Sequence, residues 1–388
     1  MKKVLIIHSN MELGGAETSL LGLLQTIDYS EYSVDLLLLE QTGPLLELIP
    51  ESVNILNTPR RYRHLMSPIA QVVREGDIPL ACARLYGKWK GRKFVPRGYA
   101  TKQFAHLAAL RFLPEIEKEY DVALSFIDPH IIIREKVKAK KRFCWLHFDF
   151  KNVRVDSEID RRMWDGCDYI VHISESCKAI FDHHYPELTN KSIVIENVLS
   201  REFVRWRANA FSVDEEMGQG DEITLLSIGR FSKQKNFDNI PDICRRLQEK
   251  NIHVKWYIIG YGNEEDLIRQ RIREAQMEEY VILLGKKENP YPYIKACDVY
   301  IQPSRWEGKC VAVREAQMLG KPVVITNYAT AQSQLQNGYD GIVVPMENEA
   351  CADSLARILN NERLLKEIAA NTETVDYSNV GEIKKILQ

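Results

Sequence analysis

The sequence predicts an α/β protein of two Rossmann-like, doubly wound domains facing across a cleft. Short apolar runs alternate with amphipathic stretches of helical length, the pattern of a parallel sheet covered on both faces. That alternation lapses once, near residues 211–221, and then restarts. The 388-residue length favours two domains over one, and 45% hydrophobic residues suffice for two cores.

In the first half, residues 4–7 (Val-Leu-Ile-Ile) read as a buried strand. The glycine loop Leu13-Gly14-Gly15-Ala16-Glu17 leads into an amphipathic helix carrying Leu20, Leu21, Leu23 and Leu24. Further strands are expected at 34–39, 122–126, 142–146 and 169–174. Residues 212–221 are polar, carry glycine and show no period, so an exposed loop near the domain boundary is expected there. Strands resume at 223–228, 254–259, 281–284, 299–302 and 323–326. The expected domains are 1–205 and 206–375. A closing segment, 376–388, ends in a helical pattern with Ile383, Ile386 and Leu387 on its apolar face.

Charge excludes one class of partner. The chain holds 52 basic and 54 acidic residues, a net charge of -2, and nothing global argues for nucleic acid. Its 8 cysteines include no C-x-x-C and no His/Cys cluster at zinc spacing, so they are expected as reduced, mostly buried thiols of a cytosolic protein. The apolar run after Met1-Lys2-Lys3 breaks at His8-Ser9-Asn10, short for a signal peptide. No stretch approaches the ~18–20 apolar residues of a membrane span, so membrane contact is expected to be peripheral.

The most informative motif is a pair of carboxylates, Glu307 and Glu315, with seven residues between them. Glu307 falls on the loop after an apolar strand. Glu315 falls about two turns into the helix that follows. In open α/β sheets ligands bind at that edge, where carboxylates accept hydroxyl hydrogen bonds and a helix N-terminus offers N–H groups to an anion. Gly229, Arg230 and Lys235 follow another strand, and two cations there suit a diphosphate; a solvated basic loop is the competing reading. Gly260-Tyr261-Gly262 stops short of a G-x-G-x-x-G fingerprint and reads first as a structural turn. Gly14 and Gly15 fit either an ordinary tight turn or a close backbone approach to phosphate. His147, after the strand ending Trp145-Leu146, is either a packing residue or a sugar contact.

From Arg60 to Arg111 twelve basic residues stand against Glu75 and Asp77. Aromatic residues interleave with them. Arg84, Lys88, Trp89, Lys90, Arg92, Lys93 and Arg97 form the densest part, expected to meet an anionic membrane surface or an acceptor.

Together these segments resemble glycosyltransferase family 4, the retaining family with the GT-B fold, most strongly over residues 223–345. Gly229-Arg230-Phe231-Ser232-Lys233-Gln234-Lys235 resembles its G-R-x-x-x-x-K element, and Pro303-Ser304-Arg305-Trp306-Glu307-Gly308 through Glu315-Ala316 its E-x7-E motif. In the first half only Gly14-Gly15-Ala16-Glu17 and the His147 segment match.

The resemblance implies roles. Gly14, Gly15 and Gly229 would approach the donor diphosphate, with Arg230 and Lys235 holding it as it leaves. Glu307 would contact the donor sugar, helped by Gly308, Val311 and the backbone N–H groups of Lys309 and Cys310. Glu315 would bind the ribose, His147 would line the sugar pocket, and residues 285–289, Lys286 and Asn289 among them, would lie near the base. Relatives also run the C-terminal helix back onto the N-terminal domain. Lys309-Cys310 departs from the Phe-Gly common at this point in the family, which puts the sugar in question.

The implied activity is a retaining hexosyltransferase. It would take a nucleotide-sugar, a UDP-sugar by default, to a lipid-linked or oligosaccharide acceptor in capsule or lipopolysaccharide assembly, on the cytoplasmic face of the inner membrane. No D-x-D stands at a strand end, so no metal and no cofactor is expected, and the paired cations would stabilise the leaving group. An epimerase or phosphorylase on the same fold, or a degenerate scaffold, are the alternatives.

Overall fold

A computed structural model describes residues 1–94, 98–147, 156–218, 220 and 222–387. The chain divides into two compact units, Met1–Leu199 with Asn379–Gln388, and Ser200–Ser378. Each is built on one parallel sheet.

The first unit orders its strands β3-β2-β1-β4-β5-β6-β7. They are β1 (Lys2–His8), β2 (Tyr32–Leu38), β3 (Asn54–Ile55), β4 (Ile116–Ser125), β5 (Val137–Leu146), β6 (Tyr169–His172) and β7 (Ser192–Val194). Val4, Leu5, Ile6 and Ile7 are fully buried. A strand covered by helices on both faces has no polar side, which is why β1 reads as an unbroken apolar run. The helix Gly15–Thr26 buries Leu20, Leu21, Leu23 and Leu24, as the sequence pattern requires.

The second unit orders its strands β10-β9-β8-β11-β12-β13. These are β8 (Ile223–Ile228), β9 (Val254–Ile259), β10 (Val281–Gly285), β11 (Val299–Gln302), β12 (Val323–Thr326) and β13 (Ile342–Val344). In each sheet the chain builds outward from one central strand, then crosses back to build the other side. The reversal lies between β1 and β4 in the first sheet, and between β8 and β11 in the second. At such a point the connections leave in opposite directions and open a crevice at the carboxyl ends of the strands.

Three sequence expectations need correction. The unit boundary falls between Leu199 and Ser200, ahead of 205. Ser200 caps the helix Arg201–Ala208 there, its Oγ accepting the Phe203 N–H at 3.1 Å. Residues 212–221 are not simply an exposed loop: Asp214–Met217 is a helical turn, Val213 and Met217 are buried, and Tyr257 donates its hydroxyl to the Met217 carbonyl at 2.5 Å. The cysteines are not all thiols: Cys144 on β5 and Cys167 ahead of β6 form a disulfide, and the other six are free. Spacing gave no sign of that pair, because adjacent parallel strands bring together residues far apart in sequence.

The closing segment is a 3₁₀ turn, Val380–Ile383, followed by the helical turn Lys384–Leu387, and it belongs to the first unit. Ile383, Ile386 and Leu387 are buried, each worth about 1.5–3 kcal/mol on the hydrophobic scale. Lys2 and Tyr32 both donate to the Leu387 carbonyl, at 3.1 Å each. Among the described residues no helix is long and apolar enough to cross a membrane.

Candidate active site

Two loops of the second unit, one after β8 and one after β11, meet at the reversal point of its sheet. Arg305 staples them. Its guanidinium donates to both carboxylate oxygens of Asp238, at 3.0 and 2.8 Å, and to the Lys233 carbonyl at 2.6 Å, while its own N–H reaches the Gln234 carbonyl at 2.8 Å. Such a forked contact fixes orientation as well as distance.

Within that frame Lys235 turns back over Gly229. Asn236 takes a φ of 62°, a left-handed conformation that Asn tolerates better than most residues, and this reverses the chain. A Cβ on Gly229 would lie 2.8 Å from Lys235 Cε, so glycine there leaves the lane for the lysine stem. Lys235 Nζ then donates to Glu307 Oε1 at 2.7 Å and lies 3.7 Å from Cys310 Sγ. Burial opposes the lysine charge, but Cys310 and Glu307 beside it more than offset this, and Nζ titrates above the ordinary lysine value.

Glu307 is held from several directions. Ser304 donates to Oε1 at 2.6 Å and Gln234 to Oε2 at 3.0 Å. Behind Ser304, Gln302 Nε2 donates to its hydroxyl at 2.9 Å, and Tyr300 donates to Gln302 Oε1 at 2.8 Å. Thr330 caps the Glu307 carbonyl at 2.8 Å. The Cys310 thiol is pushed up to about 11 by burial, so it stays neutral.

Glu315 lies on the helix Val311–Met318 and is buried. Tyr291 donates to its Oε1 at 2.8 Å. Burial pushes its carboxyl up to about 7 against the opposing effect of that hydrogen bond. Arg230 is exposed on the β8 loop, with no ion pair among the described residues.

This carboxylate–lysine constellation falls inside a recognisable domain: residues 213–375 match the family model of Glycosyl transferases group 1. The second unit is a group 1 glycosyl transferase domain.

Relatives of the transferase domain include an uncharacterized glycosyltransferase of Methanocaldococcus jannaschii, 26% identical over 170 residues, 43% of this chain and 42% of that one. Another is the UDP-Gal:alpha-D-GlcNAc-diphosphoundecaprenol alpha-1,3-galactosyltransferase of Escherichia coli, 23% identical over 170 residues, 43% of this chain and 44% of that one. The matches thus span less than half of either relative. Among solved structures, Anabaena HepE in complex with UDP-glucose aligns with a TM-score of 0.70 at 16% identity, covering 100% of this chain and 98% of that chain. That likeness carries the fold, two parallel-sheet Rossmann-like units as in GT-B glycosyltransferases.

Against the sequence reading, the transferase domain brings Lys235, Glu307, Cys310 and Gly229 together and leaves Arg230 exposed nearby. Other assignments change. The Cys310 N–H is already donated to Gln334 Oε1 at 2.7 Å, so it is not open to a sugar or phosphate. Asn289 is buried, donating to the Arg207 carbonyl at 2.8 Å and accepting from the Tyr291 N–H at 3.3 Å, a structural commitment rather than a free base contact. Lys286 Nζ sits over the Tyr261 ring at 5.2 Å. Gly308 and Lys309 are half-buried and Val311 is buried at the helix start. Gly260 and Gly262 are structural, as their turn pattern suggests. A Cβ on Gly260 would lie 1.9 Å from the Gly229 carbonyl oxygen, and Gly262 has φ 155°. Sequence reasoning missed Tyr291, Gln302, Ser304 and Gln334. Of these only Ser304 lay inside a motif read from the sequence, and only the fold shows that Tyr291 holds Glu315 and that Ser304, itself held by Gln302, holds Glu307.

In the first unit, Gly14 precedes the helix Gly15–Thr26 in extended conformation. His147 follows β5, its ring 4.7 Å from Phe126 and stacked on Trp145 at 5.9 Å. Burial, with His8 next, pushes it down to about 3, so it is neutral. On the basic segment, Arg84 turns inward to the carbonyls of His64, at 2.7 Å, and Ser67. Lys88, Trp89, Arg92 and Lys93 are exposed and Lys90 half-buried, whereas Arg97 lies outside the described residues.

Proposed function

We propose that this chain is a family 4 retaining hexosyltransferase that moves a sugar from a UDP-sugar to a lipid-linked or saccharide acceptor in surface polysaccharide assembly. The observation that carries the reading is the buried Lys235–Glu307 pair at the β8/β11 reversal, inside the matched domain, with exposed Arg230 on the same loop. Glycosyl transfer builds negative charge on a departing diphosphate, and fixed cations lower that barrier most where water is excluded. In this reading Arg230 and Lys235 stabilise the leaving group without a metal, and the departing phosphate oxygen takes the acceptor proton. Glu307 orients the sugar. Glu315 accepts the ribose hydroxyls once Tyr291 yields its place.

The acceptor follows the Escherichia coli relative, whose name specifies a diphosphoundecaprenol-linked sugar. An anionic membrane surface suits the helix Ile78–Gly91: Leu85, Tyr86 and Trp89 are exposed, and Lys90 Nζ lies 5.4 Å from the Trp89 ring. Apolar and aromatic tips with flanking lysines favour peripheral binding at the cytoplasmic face.

Incubation with a panel of UDP-, GDP- and ADP-sugars and a polyprenyl-diphosphate sugar, with and without excess chelator, tests this. Transfer from a UDP-sugar, retained anomeric configuration in the product and full activity in chelator are expected. Turnover of the donor to another nucleotide-sugar without acceptor points to an epimerase. An absolute metal requirement overturns the cation-only chemistry.

A further inference from the structure

Residues 303–310, between β11 and the helix Val311–Met318, form neither helix nor strand, so their polar backbone has to be met from outside the segment. The strap that leaves β12 at the same edge of the sheet, residues 326–334, does part of this with side chains. Thr326, the last residue of β12, donates its hydroxyl to the Ser304 carbonyl at 2.6 Å. Thr330 donates to the Glu307 carbonyl at 2.8 Å. Gln334 donates to the Cys310 carbonyl at 3.2 Å while accepting the Cys310 N–H at 2.7 Å. Positions four apart on the strap thus meet positions three apart on the loop. This ladder carries the pairing of β11 with β12, in which Gln302 lies opposite Ile325, beyond the end of the sheet.

All six residues are buried, so a rung that loses its donor leaves a carbonyl with little access to water. The three loop residues held in this way are also the ones whose side chains meet at the Lys235–Glu307 pair. Ser304 Oγ donates to Glu307 Oε1 at 2.6 Å, Lys235 Nζ donates to the same oxygen at 2.7 Å, and Cys310 Sγ lies 3.7 Å from that Nζ. Their carbonyls are tied to the strap and their side chains reach the ammonium or its carboxylate. Arg305 ties the start of the loop to the one after β8. Farther along, Thr330 and Gln334 hold the backbone at Glu307 and Cys310.

We propose that Thr326, Thr330 and Gln334 are positioning residues, which act on the Lys235–Glu307 pair through the loop backbone and set how far Glu307 and Cys310 reach toward Lys235. Buried carbonyls anywhere need donors. What singles these out is that each belongs to a residue lining the pair. A shift of the strap therefore moves the carboxylate, its serine donor and the thiol together, and small misplacements are costly where reacting groups are held in place. The role in sugar transfer rests on the transferase reading; the hold on the loop does not.

Thr330→Val and Thr330→Ser separate positioning from stability in the nucleotide-sugar transfer assay. Both are expected to lower the melting temperature, Val by unpairing a buried carbonyl and Ser by removing a buried methyl. Val is expected to lose about tenfold in kcat, with the donor KM within about twofold of wild type. Ser keeps the hydroxyl and is expected to regain most of that kcat. Gln334→Ala gives a reading independent of activity, and serves should Thr330→Val fold poorly. Amide hydrogen exchange at Cys310 is expected to speed up about tenfold or more, exceeding any change at Leu225 in β8. Equal kcat losses in Val and Ser, no loss in Val, or Cys310 exchange unchanged in Gln334→Ala overturns the ladder. A Cys310 amide that responds as expected, in a chain that transfers sugar from no nucleotide-sugar, supports the hold on the loop and overturns the transferase reading instead.

Discussion

Lys235 and Glu307 are 72 residues apart in sequence, and their charged atoms meet at 2.7 Å at the reversal point of the second sheet. The pair is nearly enclosed, with side-chain exposures of 16% and 6%. Its partners therefore depend on each other for stability as well as for chemistry. Lys235→Ala leaves Glu307 buried without its counter-ion, a loss of about 3–5 kcal/mol by analogy with other broken buried pairs. Urea unfolding checks this, and adding Glu307→Gln is expected to restore part of the loss. Transfer is expected to fall about 100-fold or more.

Arg230 separates chemistry from stability. Its side chain is exposed, so Arg230→Ala is expected to move unfolding free energy by no more than about 0.5 kcal/mol. Transfer is nonetheless expected to fall about 100-fold. Unchanged turnover in this variant removes Arg230 from leaving-group stabilisation.

Gly229→Ala tests the lane occupied by the lysine stem. The new methyl would lie 2.8 Å from Lys235 Cε, and the ammonium is anchored at its far end. Lys235 must shift from Glu307, and steady-state assays are expected to show about a tenfold loss of kcat, since misplacements of this size are costly in a positioned site.

Glu315 gives a signed pH dependence. Its folded-state carboxyl titrates at about 7, above the ordinary 4.5. The folded protein therefore binds more protons than the unfolded chain between those values, and this group's contribution falls as pH rises through that window, by up to about 3 kcal/mol. Denaturant unfolding at pH 4.5, 6 and 8 is expected to show a shallower decline, or a steeper rise, in Glu315→Gln than in wild type. Parallel curves for the two proteins contradict the raised value.

Charge reversal at Lys88 and Lys90 with Trp89→Ser tests the membrane-facing helix. Each lysine near an anionic leaflet contributes about 1 kcal/mol, so reversing two and removing the aromatic anchor is expected to abolish co-sedimentation with anionic vesicles. No preference of the wild type for anionic over neutral vesicles counts against peripheral membrane binding.

The alternation of apolar runs and amphipathic stretches was enough to specify two parallel sheets, because a strand buried on both faces must be apolar throughout. The glutamate spacing, the cationic loop after β8 and the glycines that crowd the chain were equally legible, since each is a local requirement of turn, strand end or helix start. The packing decided the rest. That Tyr291 belongs to Glu315, that Gln334 claims the Cys310 N–H, that Arg84 faces inward and that Cys144 finds Cys167 all follow from which strands become neighbours. A parallel crossover joins strands through long intervening segments, so the partners of a strand-end residue are set by sheet order, a property of the folded chain that no local pattern encodes.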